Sequence, residues 1–107
     1  MNQTSCTERT YHFFFTNLSN PLRIKIIIGL KEKEMNVGEI SEKLGEEQSK
    51  ISHALKSLKN CNIVDAKQSG KERIYFLNKK TILPILKLID EHAKTFCKGN
   101  CKCGGEK

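Results

Sequence analysis

The sequence predicts a mainly α domain carrying one small β-hairpin, an α+β chain with a single core. Three observations predict it. Apolar residues recur at helical spacing in four separate stretches between Pro21 and Phe96. Two strand-like runs, Ile63 to Gln68 and Glu72 to Leu77, flank the turn pair Ser69-Gly70. The 107 residues are 37% hydrophobic, 7% aromatic and 29% charged, enough for one core and too few for two.

Taken in order, Tyr11 to Phe15 is an apolar cluster. Asn20-Pro21 then supplies an N-cap residue and a proline suited to the first helical position. Leu22, Ile26, Ile27 and Leu30 repeat at helical spacing up to the charged run Lys31 to Glu34, so a helix is expected over Pro21 to Lys33. Asn36 followed by Glu39 has the form of a capping box, and Val37, Ile40 and Leu44 form one stripe before Gly45. A second stripe, Ile51, Ala54, Leu55 and Leu58, defines a helix from Gln48 to about Asn60. After the hairpin, Thr81 reads as the N-cap of a last helix, with Pro84 in its first turn, running to about Phe96.

In that last helix Ile82, Leu83, Ile85, Leu86, Leu88, Ile89, Ala93 and Phe96 cover an arc of roughly 220° at 100° per residue, wider than one domain contact needs. Tyr11, Phe13, Phe14 and Phe15 also exceed what a small core uses, so a homodimer formed by the terminal helices is expected.

Charge narrows the function. Nineteen Lys and Arg against twelve Asp and Glu give +7, and the stretch Gln48 to Lys80 carries eight of the basic residues against Asp65 and Glu72, a local surplus of +6. Such a concentration favours a polyanion. Scattered lysines alone would mean a solvated face. Here two short helices around a glycine turn, followed by a basic hairpin, describe a winged helix-turn-helix whose second helix enters the major groove of double-stranded DNA. With Ile51, Ala54, Leu55 and Leu58 turned inward, Gln48, Ser49, Lys50, Ser52, His53 and Lys56 are left for DNA. Gln, Ser and His can bond base edges and Lys neutralises phosphates. The wing adds Lys67, Gln68, Lys71 and Arg73. No Ser/His/Asp, paired-carboxylate or phosphate-loop arrangement points to an enzyme. No apolar run approaches the ~20 residues a membrane span needs, and Met1 to Thr10 is polar rather than signal-like, so a cytoplasmic protein without membrane contact is expected.

Four stretches then resemble the ArsR/SmtB repressors, which sense metals and metalloids: FTNLSNPLRIKIIIGL (Phe15 to Leu30), VGEISEKLG (Val37 to Gly45), QSKISHALKSLKNCNIV (Gln48 to Val64) and GKERIYFL (Gly70 to Leu77). The resemblance implies a five-helix winged domain, dimerised by its first and last helices, that represses its target until an effector releases it. It also marks departures. The Cys-x-Cys pair that often opens the first helix of the motif is replaced by Met35-Asn36-Val37-Gly38. The zinc site of many relatives falls on Lys79, Thr81, His92 and Thr95, of which only His92 keeps a ligand. Glu47 stands where a small N-cap is usual before the recognition helix, placing a negative charge near the expected phosphates.

Residues 1–96 are therefore read as the DNA-binding and dimerisation domain and 97–107 as a cysteine-rich tail. In a reducing compartment five cysteines, an odd number, read as thiolate ligands, redox groups or buried thiols rather than a disulfide framework. Cys97, Cys101 and Cys103 lie within seven positions on a glycine-rich backbone, where three thiolates can converge on one soft ion. As(III), Cd, Pb and Zn are the candidate effectors, and no ion is expected to be required for folding. A fourth ligand, Cys6 before His92, would complete the tetrahedral site that zinc or cadmium prefers. Lys98 and Lys102 beside the thiols favour thiolates for metal binding and oxidation alike. A thiol-redox or constitutive regulator, and a protein-interaction module with a structural metal tail, stay open as alternatives. Cys61, amid apolar neighbours, reads as a small buried thiol.

Overall fold

The computed structural model describes the backbone of residues 3–96 and the side chains of residues 7–96. Five helices and two strands follow one another as α1 (Gln3–Ser19), α2 (Pro21–Glu32), α3 (Val37–Leu44), α4 (Gln48–Asn60), β1 (Val64–Ser69), β2 (Glu72–Leu77) and α5 (Ile82–Phe96). This is the α+β winged helix-turn-helix expected from the sequence, with the Tyr11 to Phe15 cluster inside α1.

Local chemistry sets the helix limits. Asn20 lies in extended backbone and its side-chain oxygen accepts from the Arg23 N–H at 3.1 Å, with Pro21 at the first helical position. The helix ends at Glu32, one residue earlier than expected, because Lys33 is already extended (φ −165°). Asn36 and Glu39 form the reciprocal capping box, at 2.8 and 2.9 Å. Gly45 closes α3 at φ +69°, a left-handed conformation that a Cβ disfavours.

The end of α4 holds a feature the sequence analysis did not assign. Asn62 takes φ +61°, its N–H bonds the Lys59 carbonyl, and the Ile63 N–H bonds the Leu58 carbonyl, both at 3.0 Å. This is the Schellman closure with Asn in the left-handed position, and the accompanying residues Leu58 and Ile63 are both fully buried. Because the Ile63 N–H is spent on that closure, the strand begins at Val64 rather than Ile63.

β1 and β2 pair antiparallel from Val64↔Leu77 to Ser69↔Glu72, so the two-residue loop is Gly70-Lys71, one residue later than expected. Gly70 at φ +65° occupies the first loop position, as a II′ hairpin requires. Met35 adds a one-residue third strand against Tyr75, through bonds of 3.2 and 2.8 Å. The expected N-cap Thr81 is also corrected. Asn78 does that work: its side-chain oxygen accepts from the Lys80 and Thr81 N–H groups at 3.0 and 3.3 Å, and its backbone carbonyl from Ile82 at 3.0 Å.

The core gathers Ile26, Ile27 and Leu30 of α2, Ile40 of α3 and the stripe Ile51, Ala54, Leu55 and Leu58 of α4 with Ile63, Val64 and Leu77. Each such fully buried aliphatic side chain stabilises the fold by about 1.5–3 kcal/mol. α5 is different, since Ile82 alone of its residues is buried. Leu88, Ile89 and Phe96 are 65%, 50% and 71% exposed, and Tyr11, Phe13 and Phe15 of α1 are exposed as well. No helix among the described residues is long and apolar enough to cross a membrane.

Candidate nucleic-acid interface

The apolar stripe of α4 is seated in the core, and that fixes which of its residues face outward. Gln48, Ser49, Lys50, Ser52, His53 and Lys56 are all exposed, on the helix faces left over by Ile51, Ala54, Leu55 and Leu58. The helix is positioned from below by α3 and from its C-terminal end by a buried polar junction. Asn17 of α1, 3% exposed, accepts from Ser57 Oγ at 3.1 Å and from Arg23 Nη1 at 2.9 Å. It donates to the Phe13 carbonyl and to Cys61 Sγ, each at 2.9 Å. One amide side chain thus ties α1 and α2 to the recognition helix. Cys61, expected to be buried, is half-buried and serves as the acceptor that Asn17 needs.

At its N-terminus α4 carries counter-charges. Glu47 is the N-cap residue, but its side chain makes no capping bond. Glu46 Oε1 lies 3.7 Å from Lys50 Nζ, a pairing one turn apart that was legible from spacing. The Lys50 ammonium thus has a carboxylate of its own chain beside it.

The wing does not put its four basic or polar candidates on one face. Alternation along the strands places Gln68 and Arg73 on the side that carries Val64 and Leu77 into the core, and Lys67 on the opposite side with Asp65, Ile74 and Phe76. Lys71 is at the tip. Gln68 Nε2 donates to the Gly70 carbonyl at 3.2 Å, and the Arg73 guanidinium lies 5.8 Å from the centre of the Tyr75 ring. Lys67 leans back from the tip, with Nζ 5.5 Å from the Phe76 ring centre and 2.8 Å from Glu34 Oε1. Lys79 Nζ lies 3.8 Å from the other oxygen of Glu34. These ammonium groups hold the Glu34 carboxyl below its usual range, the Lys67 hydrogen bond first, with desolvation opposing and the charges of Lys67 and Lys79 adding. Glu34 belongs to the α2–α3 connection, and its partners lie far along the chain, so no local pattern announced it.

Cys97, Cys101 and Cys103, and the side chain of Cys6, lie outside the described residues. Among the described residues no group of three or more His, Cys, Asp and Glu could hold a metal ion. The positions corresponding to the zinc site of relatives do other things: Lys79 pairs with Glu34, Thr95 Oγ1 donates to the Glu91 carbonyl at 3.0 Å, and His92 stacks on Phe96 at 4.6 Å between ring centres.

Comparison with known proteins agrees with this architecture. The model of the bacterial regulatory proteins of the arsR family matches residues 20–66. The HTH-type transcriptional regulator MJ1325 of Methanocaldococcus jannaschii is 35% identical over 78 residues, which cover 72% of this chain and 88% of that protein. The regulator Rv0081 of Mycobacterium tuberculosis is 35% identical over 74 residues, covering 68% of this chain and 65% of its own. Its crystal structure superposes with a TM-score of 0.75 at 25% identity, covering 92% of this chain and 97% of that one. The cadmium resistance transcriptional regulatory protein CadC of Listeria innocua is 36% identical over 76 residues, 70% of this chain and 64% of CadC. The solution structure of the homodimeric winged helix-turn-helix domain Mb0332 of Mycobacterium bovis gives a TM-score of 0.79 at 21% identity, covering 89% of this chain and 92% of that one. The chain thus spans slightly under two thirds of the length of Rv0081 and of CadC.

Proposed function

The chain belongs to the ArsR family of bacterial transcriptional regulators, and from that premise we propose that it is a homodimeric, cytoplasmic repressor that binds double-stranded DNA and is released by a soft metal or metalloid ion. The observation that carries the DNA reading is the two-sidedness of α4: four apolar residues in the core, and outside it eight exposed polar or basic residues, Gln48, Ser49, Lys50, Ser52, His53 and Lys56 among them. The side chains of Gln48, Ser49, Ser52 and His53 are of the kinds that read base edges, while Lys50, Lys56, Lys71 and Arg73 address the backbone. Gln68 and Lys67 support the wing contact from its two faces. A dimer brings two copies of α4 to half-sites about one helical turn apart. Its interface is α1 with α5, whose exposed aromatic and aliphatic residues need a cover; Mb0332 is described as a homodimer of the same fold.

The sensor is assigned to the thiolates of Cys97, Cys101 and Cys103, completed by Cys6. Support comes from donor chemistry, three soft ligands in seven positions, and from the cadmium-resistance regulator among the relatives. The candidate ions are As(III), Cd, Pb and Zn. Binding at the end of α5 and the start of α1 acts on the dimer interface. If that shifts the spacing of the two α4 helices, DNA affinity falls by the coupling free energy, typically ~1–3 kcal/mol.

The test is fluorescence anisotropy of the reduced protein on DNA from upstream of its own gene, at fixed salt, with each ion and an oxidant added separately. Salt-dependent, sequence-selective binding that a soft ion reverses is expected. In the triple variant Cys97→Ser, Cys101→Ser, Cys103→Ser, binding should persist and release should vanish; release that survives refutes the sensor assignment. Insensitivity to every ion with loss on oxidation would identify a thiol-redox switch.

A further inference from the structure

A second cluster of charge lies at the base of the wing, on the side opposite the core. Glu34, Lys67, Lys79, Lys80 and Asp65 line a cleft of about 430 Å³ whose floor is the Phe76 ring. Within it Glu34 holds two lysines at once, at 2.8 and 3.8 Å, and one of them, Lys67, is a wing residue that the DNA reading would use. The three groups are not equally accessible. The side chains of Lys67 and Lys79 are 54% and 70% exposed, whereas that of Glu34 is 34% exposed. An incoming anion therefore meets the ammonium groups from outside while Glu34 keeps them from behind.

We propose that Lys67 and Lys79 form a phosphate-binding pair at the base of the wing, and that Glu34 occupies this pair in free protein as an intramolecular competitor of the DNA backbone. This rests on the DNA-binding reading above and specifies how that site is tuned. An exposed ion pair of this kind is weak and screened by salt, so a polyphosphate can displace it. The exchange nevertheless subtracts from the free energy of DNA binding. A carboxylate held below its ordinary titration range stays negative throughout the neutral region, so the competition operates whenever the protein binds DNA. Lys80 and Asp65, the other charged groups of the cleft, nearly cancel and leave the balance to the Glu34 triad.

Glu34→Gln keeps the size of the side chain and one acceptor oxygen while removing its charge and its second acceptor. Its affinity for operator DNA should rise about three- to tenfold at low salt, and log K should fall more steeply with log salt, by about 0.9 for each lysine released to a phosphate. The charge-matched control Glu91→Gln, on α5, should show neither change, and Glu34→Gln combined with Lys67→Ala should lose most of the gain. A merely structural Glu34, one that anchors the wing, predicts the reverse sign: lower affinity of Glu34→Gln for operator DNA. That result, or an unchanged salt slope, overturns the proposal. If wild type binds DNA and Lys56→Ala weakens it while Glu34→Gln has no effect, only this proposal falls. If wild type binds no DNA at all, the DNA-binding reading falls and takes this one with it.

Discussion

Asn17 shows how a single residue can organise a small domain. Its amide is almost fully removed from water, yet each of its polar atoms is used: two bonds accepted, two donated, linking α1, α2 and α4. A leucine of similar volume would leave the Arg23 and Ser57 donors without their acceptor. Asn17→Leu should therefore lower stability by about 1–3 kcal/mol, seen as a lower urea midpoint with an unchanged m-value. Glu34 makes a second prediction at this scale, through pH. Its folded carboxyl titrates below the ordinary value, so its contribution to stability is present above the ordinary carboxylate range and is lost as pH falls through the depressed value. Thermal melts of Glu34→Gln should run parallel to wild type in acid, where both side chains are neutral, and diverge as pH rises toward neutrality. Added salt should shrink the divergence, since the pair is exposed.

Among the elements, α4 is closed unequally at its two ends. Its C-terminus is closed well, by the Schellman bonds around Asn62, and its N-terminus poorly, by a glutamate that makes no capping bond. The backbone of Glu47 already has the extended geometry of an N-cap (φ −64°, ψ 144°), so a serine there can cap without rearrangement. Glu47→Ser should stabilise the protein by about 0.5–1.5 kcal/mol. It should also tighten DNA binding, because it removes a negative charge from the helix end nearest the expected phosphates. Denaturant titration and anisotropy on the same sample check both halves. If stability rises and affinity does not, the N-terminus of α4 does not approach the backbone.

For the whole molecule, the question is what covers α5 and the outer side of α1. One copy leaves Leu88, Ile89 and Phe96 of α5, with Tyr11, Phe13 and Phe15 of α1, in water. An apolar groove of about 250 Å³ runs between α2 and α5 past Ile24, Ile28 and Ile89, with the Lys31–Asp90 ion pair on its rim. Pairing two copies through these surfaces buries them at little cost to the fold, since they contribute almost nothing to the core of one copy. Leu88→Glu should accordingly leave the Tm of dilute protein nearly unchanged, convert the dimer to a monomer in sedimentation at micromolar concentration, and weaken operator binding strongly. A wild-type monomer under the same conditions would refute the interface.

Much of this architecture was legible in the sequence because its determinants are local. The Asn20-Pro21 start, the Asn36/Glu39 box, the Gly45 stop and the stripe of α4 each act within about one or two helical turns, and backbone geometry leaves them few alternatives. The outward set Gln48 to Lys56 followed from that stripe alone. The hairpin loop shifted by one residue and the cap of α5 moved from Thr81 to Asn78, because both depend on where neighbouring backbone N–H groups are already spent. Sequence by itself thus determined the element order, the outward face of α4 and the concentration of positive charge. Tertiary structure alone decided that Lys67 turns back to Glu34 and that Asn17 reaches Ser57 and Cys61. Those partners are distant in the chain, and only the packing of α1 and the hairpin around α4 brings them within hydrogen-bonding distance.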